Sequence, residues 1–288
     1  MIDLHTHTIN SDGSDTTLEL LKKAETLGIK YFSITDHDNV NAYKEIDKIN
    51  LEDYYAGNLI TGIEIYTHYQ GEIIEILGYN FDVSKLDERL QKHQISKQYI
   101  NKYNNRYKIL KNEYLKKGIK FDYSLYNENN ELNNKVIYNE IIKYEENDKF
   151  FLNIKNKKHR SLFFRNEVNN PNSNFYVDQT TLYPSLEVVL KIIHESGGIT
   201  FLAHPYVYSK NIINKLENII NNYDIDGLEC FYTTFSDKEV ETLLNLCDKY
   251  NLYVSGGSDY HGINKKDHNI GKFYKDNEKV YKYVKKWL

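Results

Sequence analysis

The 288-residue chain predicts an α/β fold, with parallel strands covered by helices and one largely helical insertion. Three observations carry this reading. Short apolar runs alternate along the chain with segments whose apolar residues recur at helical spacing, the pattern of strand–helix units. Hydrophobic residues make up 40% of the sequence, enough for a core in a chain of this length. The alternation lapses over residues 85–180, a long polar stretch followed by Asn-rich, weakly periodic sequence. The expected organisation is therefore an α/β unit in two segments, 1–84 and 181–288, with an insertion over 85–180 between them.

Each element has its own signal. Residues 2–5 are a short apolar run. Residues 18–27 have helical periodicity, with candidate caps at 14–17 and Gly28 as a stop. Residues 29–35 read as a buried strand and 42–49 as a helix. Residues 59–65 and 72–79 are strand-like, and Tyr69-Gln70-Gly71 between them suits a hairpin turn. In the insertion, 85–117 reads as one long helix ending at Gly118, and 136–144 as a short one. The alternation then resumes: helix 185–196 after Pro184, closed by Gly197-Gly198; strand 198–203; helix 212–222; strand 227–230; helix 237–250; strand 252–256; helix 278–287.

Composition excludes some function classes. The formal net charge is −4, which gives no general nucleic-acid-binding surface, and stable binding of duplex DNA is not expected. Cys230 and Cys247 read as buried small hydrophobes rather than a bridge. The N-terminus lacks a basic leader and an apolar core, and no apolar run is long enough to span a membrane, so the expectation is a cytoplasmic protein.

The polar residues are placed more tellingly. His5-Thr6-His7 follows the first strand, and Asp36-His37-Asp38 follows the second. Glu64 closes the third, and Glu75 lies within the next. His204-Pro205 and Ser258-Asp259-Tyr260-His261 each follow a later strand. In parallel α/β barrels the C-terminal strand ends are where chemistry is built. Taken singly, each segment has a bland reading: a structural His pair, a capping turn, a plain strand exit. Asp12 in Ser11-Asp12-Gly13-Ser14 could make only an Asx turn. Five of the ten histidines nevertheless fall at these strand ends, which structural use alone does not explain. His93, His159, His194 and His268 carry no such signal, and His68 carries little. Imidazole and carboxylate together suit zinc, manganese or iron, and two such ions held close together suit displacement at phosphorus.

In order and spacing, HTHTINSDGS, ITDHDN, GIEI, AHPY and GSDYHG resemble the PHP (polymerase and histidinol phosphatase) family of metal-dependent phosphoesterases, over most of the chain and least over 85–180. The resemblance is greatest to stand-alone bacterial members acting on nucleoside 3′,5′-bisphosphates or on the 5′ ends of short RNAs. It implies a distorted (β/α)7 TIM-like barrel with two or three divalent ions: manganese, iron or zinc. It implies that His5, His7, Glu64 and Asp259 hold one ion, that Glu64 bridges to a second shared with Glu75 and His204, and that Asp12, His37 and His261 hold a third. Many relatives have histidine where this chain has Glu75, and the harder carboxylate shifts preference towards manganese or iron(II). Relatives often place a phosphate-binding arginine in the insertion. The nearest equivalent here is Lys135, with Arg160 and Arg165 as other candidates, and a lysine lacks the two-pronged fork of a guanidinium.

The implied activity is hydrolysis of a phosphomonoester by metal-activated water, on a nucleotide or a short oligonucleotide. His204, His261 and Asp38 are the expected catalytic residues, Asp38 by orienting a ligand histidine. Two rivals stand beside it: a phosphatase for histidinol phosphate or another small metabolite, and a metal-stabilised binding module with weak catalysis. The sequence leaves the oligomeric state open.

Overall fold

The computed structural model describes residues 1–122, 124, 134–208 and 210–288, with the side chains of all of these except 96–104, 134, 135, 161, 210 and 211. Seven strands lie in chain order across one sheet: β1 (Ile2–Asp3), β2 (Tyr31–Ile34), β3 (Asn58–Tyr69), β4 (Glu72–Tyr79), β5 (Ile199–Leu202), β6 (Gly227–Tyr232) and β7 (Tyr253–Gly257). The sheet curls until its edges meet. Leu4 N–H donates to Gly256 O at 3.3 Å, and Thr6 pairs in parallel with Tyr260. The result is a nearly closed barrel with helices outside.

One strand reverses, as the hairpin turn expected at Tyr69-Gln70-Gly71 implies. β4 runs antiparallel to both β3 and β5. The cause is the turn between Tyr69 and Glu72. Gln70 and Gly71 have φ of 47° and 87°, so two residues reverse the chain, whereas a parallel neighbour needs a long crossover. This decides how Glu75 reaches the site. Its partner is Tyr66, two residues past Glu64, so the descending strand delivers Glu75 to the same barrel end from its first half.

The helices form where periodicity and caps agree. Thr17–Thr26 buries Leu20, Leu21 and Ala24 and starts with a capping box between Thr16 and Glu19. Ser236 and Glu239 cap Asp237–Tyr250 in the same way. The predicted helix 85–117 is two helices, Val83–Lys92 and Ile95–Lys117, broken at Gln94 with φ 58°. The first piece and Ile95 pack on the barrel core, and the second piece runs on from there into another core. Leu86 and Leu90 are buried in the barrel core, whereas Leu110 and Tyr114 pack with Ile137, Ile141, Phe163 and Phe175. A buried carboxylate staples this second core: Glu167 accepts from Leu152 N (3.2 Å), Asn153 N (3.3 Å), Asn156 Nδ2 (2.7 Å) and Ser173 Oγ (2.5 Å). The predicted helix 212–222 is also divided, into Lys210–Asn214 and Leu216–Asn222. Among the described residues, no helix is long and apolar enough to cross a membrane.

Barrel closure depends on Gly257. A Cβ there would lie 2.4 Å from both the backbone N and the Cβ of His5. Gly257→Ala is expected to force β1 and β7 apart and lower stability by about 1–3 kcal/mol, the usual cost of overpacking. Chemical denaturation checks the stability, and metal analysis of the same variant checks that displacing His5 also loses bound ions. Wild-type values in both would show that His5 is not held by this contact.

Candidate metal centre and substrate cleft

The residues at the C-terminal barrel end converge. His5 and His7 stand on the segment after β1 with their Nε2 atoms 3.1 Å apart. Glu64, at the barrel centre and 1% exposed, faces four rings. Its Oε2 is 3.2 Å from His5 Nε2, 3.3 Å from His7 Nε2 and 3.3 Å from His37 Nδ1, and its Oε1 is 3.1 Å from His204 Nε2. Asp259 Oδ1 lies 3.4 Å from His7 Nε2 and 3.6 Å from His5 Nε2. Asp12 reaches in from its turn, 3.0 Å from His261 Nε2, so it does more than close an Asx turn. Glu75 Oε2 is 3.4 Å from His204 Nε2.

Three of these positions have left-handed backbone: Asp38 (φ 57°), His204 (φ 25°) and Asp259 (φ 53°). Such residues carry roughly 1–3 kcal/mol of strain that surrounding structure must offset. Each is locked through its own N–H. Asp38 N donates to Glu64 O (2.9 Å), Asp259 N to His5 O (2.8 Å) and His204 N to Glu229 Oε2 (2.8 Å). Asp36 holds the loop that carries Asp12, accepting from Thr8 N (2.7 Å), Thr8 Oγ1 (2.6 Å) and Ser11 Oγ (2.6 Å).

The cluster's charge balance favours a cation. Burial opposes protonation of His7, yet hydrogen bonds to Asp259 and Glu64 push it up to about 10. Burial likewise opposes a charged His5, and Glu64, Glu229 and Asp259 raise it well above the usual range. Glu64 is held well below the carboxylate range by His5 and His37 against its own burial, and Asp12 is lowered by His261 and His37. Asp259 is lowered too, chiefly by Lys265 and His5 against burial.

The donor set fits divalent ions. All nine expected ligands fall into four groups whose donor atoms lie within 4.8 Å of one another: His7, Asp12, His37 and His261; His5, His7 and Glu64; His5, His204 and Asp259; His37, Glu64 and Glu75. Donor separations of 3.0–3.6 Å are the edges of a polyhedron around an ion at about 2.0–2.2 Å from its ligands. The groups overlap, with Glu64, His5, His7 and His37 each in two. The implied third set gains His7, and Asp259 groups with His5 and His204.

Above this floor lies a cleft of about 320 Å³. Its far wall comes from the 85–180 segment, through Arg106, Phe164, Arg165, Asn169 and Gln179, with Tyr183 just beyond it. Arg106 is only 9% exposed, and its Nε has no hydrogen-bond partner among the described residues. Arg165 also lines the cleft, its Nε donating to Val207 O at 3.2 Å. Lys265 lines it too and pairs with Asp259 Oδ2 beside Tyr232 OH.

The other expected positions fall elsewhere. Arg160 is exposed at the start of Arg160–Phe163 and does not line the cleft; it is Arg165, one turn on, that faces it. Lys135 is the second residue of the helix Asn134–Lys143, and its side chain lies outside the described residues. Asp38 Oδ1 accepts from Tyr66 N at 3.1 Å, and Glu229 Oε1 lies 2.9 Å from His5 Nδ1. Cys230 and Cys247 are buried free thiols. His194 binds Asp226 (2.8 Å) and His268 binds Ser258 O (2.7 Å), both outside the metal-type groups. Sequence reasoning missed Arg106, Lys265 and Glu229. Only Glu229 had a signal, a lone carboxylate inside the apolar run GLECFY.

The chain is similar to known proteins over most of its length. The PHP domain profile matches residues 3–157. The chain is 25% identical over 264 residues to the 5′-3′ exoribonuclease of Haemophilus influenzae, covering 90% of this chain and 89% of that one. It is 25% identical over 269 residues to the 5′-3′ exoribonuclease Rnm of Escherichia coli, covering 90% and 84%. A solved structure from Bifidobacterium adolescentis, assigned as a metal-dependent phosphoesterase, superposes with a TM-score of 0.62 at 22% identity, covering 99% of this chain and 96% of that one.

Proposed function

From the premise that the chain belongs to the PHP domain family and is a metal-dependent phosphoesterase, we propose that it hydrolyses short RNA from a 5′-phosphorylated end. The observation that carries this reading is the cleft itself. A floor of imidazoles and carboxylates faces a buried guanidinium, Arg106, that meets no carboxylate among the described residues. A buried cation without a partner costs stability. Opposite a phosphoryl-transfer floor, it suits a second anionic group of the substrate.

His5, His7, Asp12, His37, Glu64, Glu75, His204, Asp259 and His261 would hold the ions. Bound divalent ions supply positive charge to the phosphoryl oxygens and lower the pKa of water to make a nucleophile near neutral pH. The chain's own residues do the rest. Arg106 binds the terminal phosphate and sets the distance to the scissile one. Arg165 and Lys265 add positive charge at the rim, which draws in the RNA backbone. Tyr66, Phe164 and Tyr183 offer aromatic surface in the same cleft, and unpaired bases stack on such rings. A cleft bounded by the insertion admits a single-stranded end and excludes a duplex.

The test uses 3′-labelled RNA oligomers with a 5′-phosphate or a 5′-hydroxyl, beside histidinol phosphate and a nucleoside 3′,5′-bisphosphate. The expected result is stepwise loss of mononucleotides from the 5′ end, strongest with the 5′-phosphate and abolished by chelator. Rapid turnover of histidinol phosphate with intact RNA would overturn the proposal, as would internal cleavage indifferent to the 5′ end.

A further inference from the structure

We propose that Glu229 is a positioning residue that sets the tautomer of His5 and the backbone of His204 together, and so fixes one ion position from behind. The inference rests on the metal-centre reading above. Glu229 is fully buried in β6, at 0% exposure, beside β5, which leads to His204, and separated by β7 from β1, which leads to His5. Its Oε1 lies 2.9 Å from His5 Nδ1, and its Oε2 accepts the His204 backbone N–H at 2.8 Å.

An ionised carboxylate only accepts. The proton on His5 therefore sits on Nδ1, and the Nε2 lone pair is turned towards His7, Glu64 and Asp259. A carboxylate behind a ligand histidine also makes the ring a better donor. The second oxygen acts on a different strand. His204 has φ 25° and ψ 63°, a conformation an L-residue adopts only under constraint, and its N–H is tied to Glu229. His5, His204 and Asp259 form one of the metal-type groups, so a single side chain holds two of its three members.

Glutamine at this position separates positioning from simple core filling. It has nearly the same shape but one acceptor and one donor end. The His204 N–H cannot reverse, so the amide oxygen stays there and the NH2 faces His5 Nδ1. His5 must then accept at Nδ1 and carry its proton on Nε2, where it can no longer ligate. Glu229→Asp keeps two acceptors.

The experiment titrates metal-free protein with manganese(II) against a competing chelator, for wild type, E229Q and E229D, with thermal unfolding of each. The expected result is that E229Q weakens one class of ion by about 10–100-fold, with unfolding of the metal-free protein near wild type, and that E229D recovers part of the loss. A wild type that binds manganese with an E229Q that binds it equally well overturns the role of Glu229 alone. A wild type that binds no divalent ion overturns the metal centre and this inference with it. A second measurement needs no variant: in zinc-loaded wild type, ¹⁵N shifts should show His5 protonated on Nδ1 with zinc on Nε2, and the opposite assignment overturns the proposal.

Discussion

Glu64→Gln is expected to lower RNA hydrolysis on the order of 10³-fold, the scale on which losing one electrostatic element of a transition-state clamp is felt. The reason is geometric. One carboxylate faces the ring nitrogens of His5, His7, His37 and His204 at 3.1–3.3 Å, and Glu64 belongs to two metal-type groups. Glutamine removes the negative charge that both groups share and turns an N–H donor towards lone pairs. The loss should fall on kcat and be accompanied by fewer ions per chain. Steady-state kinetics with elemental analysis checks it. A variant with a full complement of ions and wild-type kcat would show that Glu64 does not bridge them.

Arg106→Met is expected to raise KM for 5′-phosphorylated RNA by roughly 10- to 100-fold, since hydrogen bonds to charged groups are worth about 1.5–3 kcal/mol. Turnover of a 5′-hydroxyl oligomer should barely change. Methionine fills similar space, and replacing a buried cation with an apolar side chain is often neutral or stabilising, so the unfolding temperature should hold or rise. Lost binding without lost stability separates a substrate contact from a packing role. Equal losses on both substrates would mean that Arg106 does not read the 5′-phosphate.

Much of the site was legible because most of the proposed ligands follow or interrupt a buried strand. A histidine or carboxylate directly after a buried strand has few structural reasons to be there, and the barrel gathers those strand ends at one mouth. Glu64 in GIEI and Glu229 in GLECFY carry the same local signal, but Glu229 had no motif spacing to support it. The reversal of β4 was implied by the turn at Gln70-Gly71, whose two residues leave no room for a crossover. Arg106 was beyond reach. It is one polar residue on a helix, Ile95–Lys117, that is polar on most of its surface, and only packing shows which face looks into the cleft. The break at Gln94 was equally hidden, because glutamine carries no sequence signal for left-handed backbone.

The cluster is expected to act as a metal centre for phosphoester hydrolysis. The most direct measurement is stepwise addition of manganese(II) to metal-free protein while release of mononucleotides from 5′-phosphorylated RNA is followed. The expected result is no turnover without metal and activity that rises with the number of bound ions to a plateau. Full turnover by protein shown by elemental analysis to be metal-free would contradict it.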